Sequence, residues 1–362
     1  MNLNLKRNAQ DVGLNSMNNL KWFLSDLQSI PKIDCKVMTT FSCGGGSSMG
    51  YKLNGFEVVA ANDIDPEMKA HYVKNLNPKH YFLCPIKELL GKELPKELFN
   101  LDILDGSPPC STFSIAGKRE KVWGVDKHFR EGQAKQVLSD LFFDFINLAA
   151  RLKPKVVIAE NVKGMIVGNA KGYTKMILKR FNEIGYDCQI FLVNAADCGV
   201  PQKRERVFFC CVRNDLKKRK LKLSFNNKWI TAKEACKDLQ RLTLEEISQC
   251  KPGKFDLKCW KHTKKGRSYA DFIKKTEGKN TGFGHMRLDG DKPAPTLIAN
   301  GSLLTHWDQC RKLTFREYKR LGSFPDDYCA KSDKLGKYMV GMSVPPFMIK
   351  EVSKQIYNQW LT

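Results

Sequence analysis

The chain has 362 residues, 42% of them hydrophobic, and 61 Lys or Arg face 38 Asp or Glu for a formal net charge of +23. This length buries a full core and divides into one large and one smaller domain, and without any run of about 18 apolar residues it argues against a membrane span. So large a positive charge exceeds what solubility needs and points to a polyanionic partner, most simply nucleic acid.

Thirteen cysteines are present, but there is no CxxC and the six histidines are dispersed, so a zinc site is not expected. The start of the chain lacks the apolar core of a signal peptide. The expectation is a cytosolic protein in which most thiols are small core residues rather than disulfide partners.

Residues 1–34 read as an N-terminal extension with an amphipathic piece near 20–27, packing on the main domain. A β-rich run over 36–42 then ends in Cys43-Gly44-Gly45-Gly46-Ser47-Ser48. Glycines between a strand and a helix let backbone N–H groups approach a ligand closely. The next strand, 57–61, ends in Asn62-Asp63-Ile64-Asp65. An acid some 20 residues after a glycine loop is the arrangement that binds ribose hydroxyls, so loop and acid suggest a nucleoside-containing cofactor. No GKS or GKT follows the glycines, which excludes a P-loop.

A helix over 66–75 and a short strand over 80–83 follow, then a strand over 101–104 that breaks into Asp105-Gly106-Ser107-Pro108-Pro109-Cys110. Two prolines end the strand and stiffen the loop, which seats the Cys110 thiol at the carboxyl end of a strand. A helix over 138–152 leads to the continuous apolar strand 156–159, ending in Glu160-Asn161-Val162. A helix over 174–184 and strands over 189–194 and 207–212 complete the series, with Gln202-Lys203-Arg204-Glu205-Arg206 between the last two. This alternation implies an α/β fold with a doubly wound, mostly parallel sheet.

After Arg213 the pattern dissolves into basic, loop-rich sequence to about Thr305, a second and smaller domain. Residues 213–267 hold 17 Lys or Arg against 6 Asp or Glu, an excess of 11 that favours a binding face. Helical periodicity returns at 313–321, and Gly341-Met342-Ser343-Val344-Pro345-Pro346 precedes a final helix over 347–360.

The glycine loop, Pro-Pro-Cys, Glu-Asn-Val, Gln-x-Arg-x-Arg, the block Lys312 to Glu317 and the terminal Gly-x-Ser-Val-Pro occur in one order. In that order and spacing the chain resembles the DNA (cytosine-5) methyltransferases, from Val37 to its end apart from the segment between Arg213 and Arg287. The resemblance implies a class I S-adenosylmethionine-dependent methyltransferase fold over 35–212, a target-recognition domain over 213–305, and a return to the first domain over 306–362.

The implied reaction is methyl transfer from S-adenosylmethionine to carbon 5 of cytosine in a specific duplex DNA sequence, with the base flipped out. Carbon 5 is a poor nucleophile until a thiolate adds at carbon 6. Cys110 takes that role, and cationic neighbours help, since an ordinary thiol is only a few per cent ionised at neutral pH. Glu160 holds or protonates the base at N3, and Arg204 and Arg206 contact its O2 and a nearby phosphate. Around the cofactor the resemblance places Phe41, Cys43, Gly44, Gly45, Gly46 and Pro108. Asp63 takes the ribose, Ile64 packs on the adenine, and Ser343 and Val344 close the pocket. Ser111, Gln202, Lys264, Lys265, Arg267 and Arg287 are the expected DNA contacts.

The departures fall on the cofactor side: Cys43 replaces the family's first glycine, Thr39 or Thr40 its acid before Phe41, Pro85 its adenine-side acid, and Met342 its terminal asparagine. The expected partner is duplex DNA, met by a monomer in the cytoplasm or at the bacterial nucleoid. A cognate restriction endonuclease would be a functional partner, and no metal or membrane is expected. An RNA cytosine methyltransferase on the same domain is the alternative, although the Cys-Phe-Thr tripeptide of those relatives is absent. A non-catalytic nucleic-acid-binding relative is a further one.

Overall fold

A computed structural model describes residues 20–109, 141–168, 170–282 and 284–362, and the backbone of 126–127 and 136–137. Cys110 and Ser111 lie outside the described residues.

The core is a seven-stranded sheet of β1 (Ile33–Thr40), β2 (Phe56–Asp63), β3 (His80–Leu83), β4 (Ile103–Gly106), β5 (Val156–Val162), β6 (Tyr186–Asn194) and β7 (Glu205–Arg213). Its order is β3-β2-β1-β4-β5-β7-β6. The first five neighbours pair in parallel. β7 runs antiparallel to both β5 and β6. The sheet is thus mostly parallel, as expected, with one reversed strand that brings the Gln202–Arg206 segment back toward the carboxyl end of β5.

Because side chains alternate along a strand, each sheet face has its own core. One face buries Val37, Val58, Ile103, Ile158, Phe208 and Cys210. It is covered by α1 (Gly46–Lys52) and by α10 (Pro346–Ile356). The other buries Met38, Val59, Leu104, Val157, Ala159 and Phe209. Against it pack α3 (Leu141–Leu152), through Phe142, Phe145 and Ile146, and α4 (Ala170–Glu183), through Ile177 and Phe181. Each such side chain contributes roughly 1.5–3 kcal/mol of burial. The helix α2 (Pro66–Leu76) is capped by Asp65, whose side chain accepts from the Glu67 and Met68 N–H groups.

Strand edges differ from the sequence reading by at most three residues, and one difference bears on the site. β4 starts at Ile103 and continues through Asp105 and Gly106, so Asp105 is a buried strand residue rather than the start of a loop. By alternation with Ile103 it faces α1, on the same side as Thr39 of β1, Glu160 of β5 and Arg206 of β7.

Residues 214–305 carry the short helices α5 (Leu244–Gln249), α6 (Lys254–Trp260) and α7 (Tyr269–Glu277). Cys259, Tyr269 and Ile273 form a small core of their own. Leu221, Ala232, Ala235, Cys236 and Leu239 instead join the large core. The chain then returns through α8 (Phe315–Leu321) and α9 (Asp333–Met342). Five ion pairs fasten this return. Arg311 forks onto Glu317 at 2.9 and 2.7 Å, Lys312 meets Asp256 and Arg316 meets Glu246, and Arg320 bridges Asp238 and Asp326.

The described part of the extension, from residue 20 on, packs on the main body: Trp22 is fully buried, and its indole N–H donates to the Ser323 carbonyl at 3.1 Å. Eight of the twelve described cysteines are buried and none is bonded to another. Among the described residues no helix is long and apolar enough to cross a membrane.

Candidate active site and cofactor pocket

The site lies at the carboxyl ends of β1, β2, β4 and β5, where an open α/β sheet places its ligand. After β1 the backbone enters the left-handed region at Phe41 (φ 53°) and Cys43 (φ 43°), which side-chain-bearing residues seldom adopt. The Cys43 N–H then donates to Asp63 Oδ2 at 2.8 Å, pinning the loop to the end of β2. Gly45 sits at φ 83°, and a Cβ on Gly46 would stand 2.1 Å from the Val344 carbonyl oxygen. Glycine is therefore required at both positions.

Thr39, Thr40, Phe41, Ser42, Cys43, Gly46, Ser47, Asp105, Ser107, Met342, Ser343 and Val344 line one cleft. The loop after β1 thus meets the terminal Gly-x-Ser-Val-Pro motif across a shared cavity. Tyr328 closes its back, its hydroxyl donating to the Gly44 carbonyl at 2.8 Å. Ser343 Oγ is buried and, apart from the Cys43 thiol beside it, has no hydrogen-bond partner among the described residues. Burial pushes the Cys43 thiol up to about 12, so it stays neutral. Of the two positions where the family's acid was expected, Thr39 bonds to the hydroxyls of Ser42 and Ser48 at 3.1 and 2.9 Å, and Thr40 donates to the Asp105 carbonyl at 3.0 Å.

Asp63 and Ile64 are half-buried at the carboxyl end of β2 and are not among the residues that line the cleft. Both Asp63 oxygens already accept backbone N–H groups, from Cys43 and from Asp65. Burial raises its pKa above the ordinary value in spite of them. Pro108 is buried just beyond the cleft.

On the other side of the Pro-Pro loop stands Glu160, 7% exposed. Arg206 reaches it across the antiparallel β5–β7 pair, Nε to Oε1 at 2.9 Å. This is a charge-assisted contact in a water-poor site. The next residue, Asn161, donates from Nδ2 to the Pro108 carbonyl at 3.0 Å. It therefore fixes the loop that leads into Cys110.

Arg204 is placed otherwise than expected. It is 3% exposed and its Nη1 donates to the carbonyls of Leu297 and Gly341, both at 3.1 Å. Burial and the Arg206 charge bring its pKa down to about 9. With those donors spent on backbone, Arg204 stands behind Arg206 and ties the Gln-x-Arg-x-Arg segment to the terminal motif.

Two expected DNA contacts also turn inward. Gln202 is 1% exposed; it donates to the Leu321 carbonyl at 3.4 Å and accepts from the Leu297 N–H at 3.0 Å. Arg287 stacks over Trp260 at 3.7 Å and spends its donors on the carbonyls of Trp307, Trp260 and Thr263. Lys264, Lys265 and Arg267 are exposed, although Lys265 is paired with Asp308 at 2.6 Å. The pocket residues that sequence reasoning passed over are Asp105 and Ser47, with Tyr51 behind Asp105 as its hydrogen-bond donor, and the loop tie is Asn161. The only available signal was a carboxylate inside an otherwise apolar strand.

Residues 35–358 match the family model described as C-5 cytosine-specific DNA methylase. The type II methyltransferase M.NgoPII of Neisseria gonorrhoeae is 34% identical over 223 residues, 60% of this chain and 60% of its own length. M.FnuDI of Fusobacterium nucleatum is 29% identical over 342 residues, 89% of this chain and 94% of its own. Among solved structures, a chain described as a DNA modification methyltransferase encoded within an E. coli prophage superposes with a TM-score of 0.63 at 22% identity, covering 91% of this chain and all of that one. Spodoptera frugiperda DNMT2 superposes with a TM-score of 0.63 at 18% identity, covering 90% and 100%. The two structures share the fold, and the family match spans the cleft, the Pro-Pro loop and the Glu160–Arg206 pair alike: the chain belongs to the C-5 cytosine-specific DNA methylases.

Proposed function

We propose that this enzyme transfers a methyl group from S-adenosylmethionine to carbon 5 of a cytosine in a specific duplex DNA sequence. The target base is flipped out and the Cys110 thiolate adds at carbon 6. The observation that carries the reading is the buried Glu160–Arg206 pair, joined through Asn161 to the carbonyl of Pro108, two residues before Cys110.

The cleft suits the donor. A buried hydroxyl whose one polar neighbour among the described residues is the Cys43 thiol, Ser343 Oγ, faces the tightly packed glycines, and the Asp105 carboxylate lines the same cleft. Phe41 in the cleft, with Asp63 and Ile64 at the end of β2, are the residues to hold its nucleoside, and Gly44 to Gly46 with Ser343 and Val344 its amino-acid end. When bound, the donor supplies an electrophilic methyl group.

The chain's own residues do the rest. Cys110 adds to carbon 6, and Glu160 shares or gives a proton at N3, so the ring does not carry the full negative charge. Arg206 holds the Glu160 carboxylate in orientation. After carbon 5 has taken the methyl group it loses its proton to water, N3 returns its proton to Glu160, the carbon 6–sulfur bond breaks, and the thiolate is restored. Arg204 acts as a positioning residue through Arg206 and the terminal motif. Residues 213–305 serve as the target-recognition domain, with Lys264, Lys265 and Arg267 on the phosphate side.

The test is covalent trapping on duplex DNA carrying 5-fluorocytosine, beside tritium transfer to duplex DNA and to tRNA. A protein–DNA adduct that requires the methyl donor, with transfer to DNA only, is the expected result. Transfer to tRNA alone would make this an RNA methyltransferase, and DNA binding without any adduct or transfer would refute catalysis.

A further inference from the structure

Asp105 is a carboxylate with an unusual address. It lies at the floor of the cleft, 2% exposed, on the strand that runs into the Pro-Pro-Cys loop. Its Oδ1 accepts from the Tyr51 hydroxyl of α1 at 2.9 Å, and the Ser47 hydroxyl of the same helix also faces it. These partners are neutral. Among the described residues no Lys or Arg contributes to its environment, whereas Glu160, the nearest carboxylate, is held by Arg206. A buried carboxylate without a cation is costly unless something positive arrives.

Among the described residues that line the cleft there is no other carboxylate. A donor with an amino-acid end brings a carboxylate and an ammonium group together. The carboxylate suits the glycine loop and Ser343 Oγ. The ammonium needs an anion, and β1 supplies only Thr39 and Thr40 where the acid was expected. The methyl-bearing sulfur has to face the Pro108 end of the loop, which leaves the ammonium for the deeper position beside α1. We propose that Asp105 is the anionic partner of the methyl donor's α-ammonium group, a binding role carried by β4 in place of an acid on β1. This rests on the reading of the cleft as the S-adenosylmethionine pocket.

Other features agree. Burial, opposed by the Tyr51 and Ser47 hydroxyls and aided by the Glu160 charge, lifts the Asp105 pKa to about 7. The titratable groups around it are Tyr51 on α1, Tyr72 on α2 and Glu160 on β5 with its Arg206 partner. Burial holds both tyrosines neutral, with pKa values raised above 10. A group that ionises only near neutrality is poised to take a cation, and the cation in turn favours its ionised form.

The experiment is calorimetric binding of S-adenosylhomocysteine and of its analogue lacking the α-amino group, to wild type and Asp105→Asn, between pH 6 and 8. Wild type at pH 8 should bind the amino ligand at least tenfold more tightly than the deamino one, and the gap should narrow toward pH 6. Asp105→Asn should lose at least fivefold of the gap, with little change for the deamino ligand. Equal weakening of both ligands would make Asp105 a structural residue and overturn the proposal. Should the variant fail to fold, the wild-type series decides alone: a gap that is absent, or constant with pH, overturns it. If wild type binds neither ligand, the cofactor reading itself falls, and the Asp105 assignment with it.

Discussion

Glu160→Gln separates the chemical role of the Glu160–Arg206 pair from its structural one. The glutamine keeps an oxygen that can accept from Arg206 Nε, now 2.9 Å from the carboxylate, but it loses the charge and the transferable proton. A hydrogen bond between charged partners is worth about 1.5–3 kcal/mol and a neutral one about 0.5–1.5 kcal/mol. The substitution should therefore cost about 1–2 kcal/mol of stability, or a few degrees in Tm for a protein of this size. Arg206 is only 14% exposed at its side chain, so solvent screens little of that loss. Turnover should fall far more, by about 10²–10⁴-fold, the usual contribution of a positioned acid or base. Single-turnover methyl transfer on saturating DNA, run beside thermal melts, reads both numbers. A rate loss below threefold would reduce Glu160 to a structural partner of Arg206. A rate loss matched by collapse of the melt would do the same.

Cys110→Ser should abolish transfer and adduct formation while DNA binding stays measurable by mobility shift. Arg204→Ala should cost about 2–4 kcal/mol in a melt, because the Leu297 and Gly341 carbonyls lose a charged donor; an unchanged melt with lost catalysis would put Arg204 on the substrate instead. Replacing Lys264 and Arg267 with alanine should reduce the salt slope of DNA affinity by about 2 and weaken all sequences alike. Asp105, with its pKa raised to about 7, binds more protons folded than unfolded between the ordinary carboxylate range and neutrality. Its stabilising contribution is present in acid and lost as the pH rises through 7, so without donor Asp105→Asn should gain on wild type in melts above pH 7.

The sheet was largely legible in the sequence because its strands are buried on both faces and read as continuous apolar runs, as in Val156 to Ala159. The order of motifs picked out the glycine loop and named Glu160 and Arg206 as separate site residues; that the two pair with each other follows only from the antiparallel register of β5 and β7. Illegible were the partners of long polar side chains. Gln202, Arg204 and Arg287 look like basic or polar surface in one dimension. Folding turns each onto backbone carbonyls, of Leu321, of Leu297 and Gly341, and of Trp307, and nothing local announces those acceptors. Asp105 was misplaced for a related reason. A carboxylate before Gly-Ser-Pro-Pro reads as turn chemistry, and only the pairing of Asp105 with Thr39 on β1 shows that the strand continues.

The cleft is walled by the two ends of the chain. Tyr328 caps the Gly44 carbonyl from 284 positions away, Val344 lies against Gly46, and Asn54 donates to the Lys350 carbonyl and to Ser353. A chain emerging from the ribosome can close none of these contacts until residues 320–356 have cleared the exit tunnel. Contacts at such separation form late and slowly. Until then the carboxyl edge of the sheet lacks that wall, and the cleft stands open.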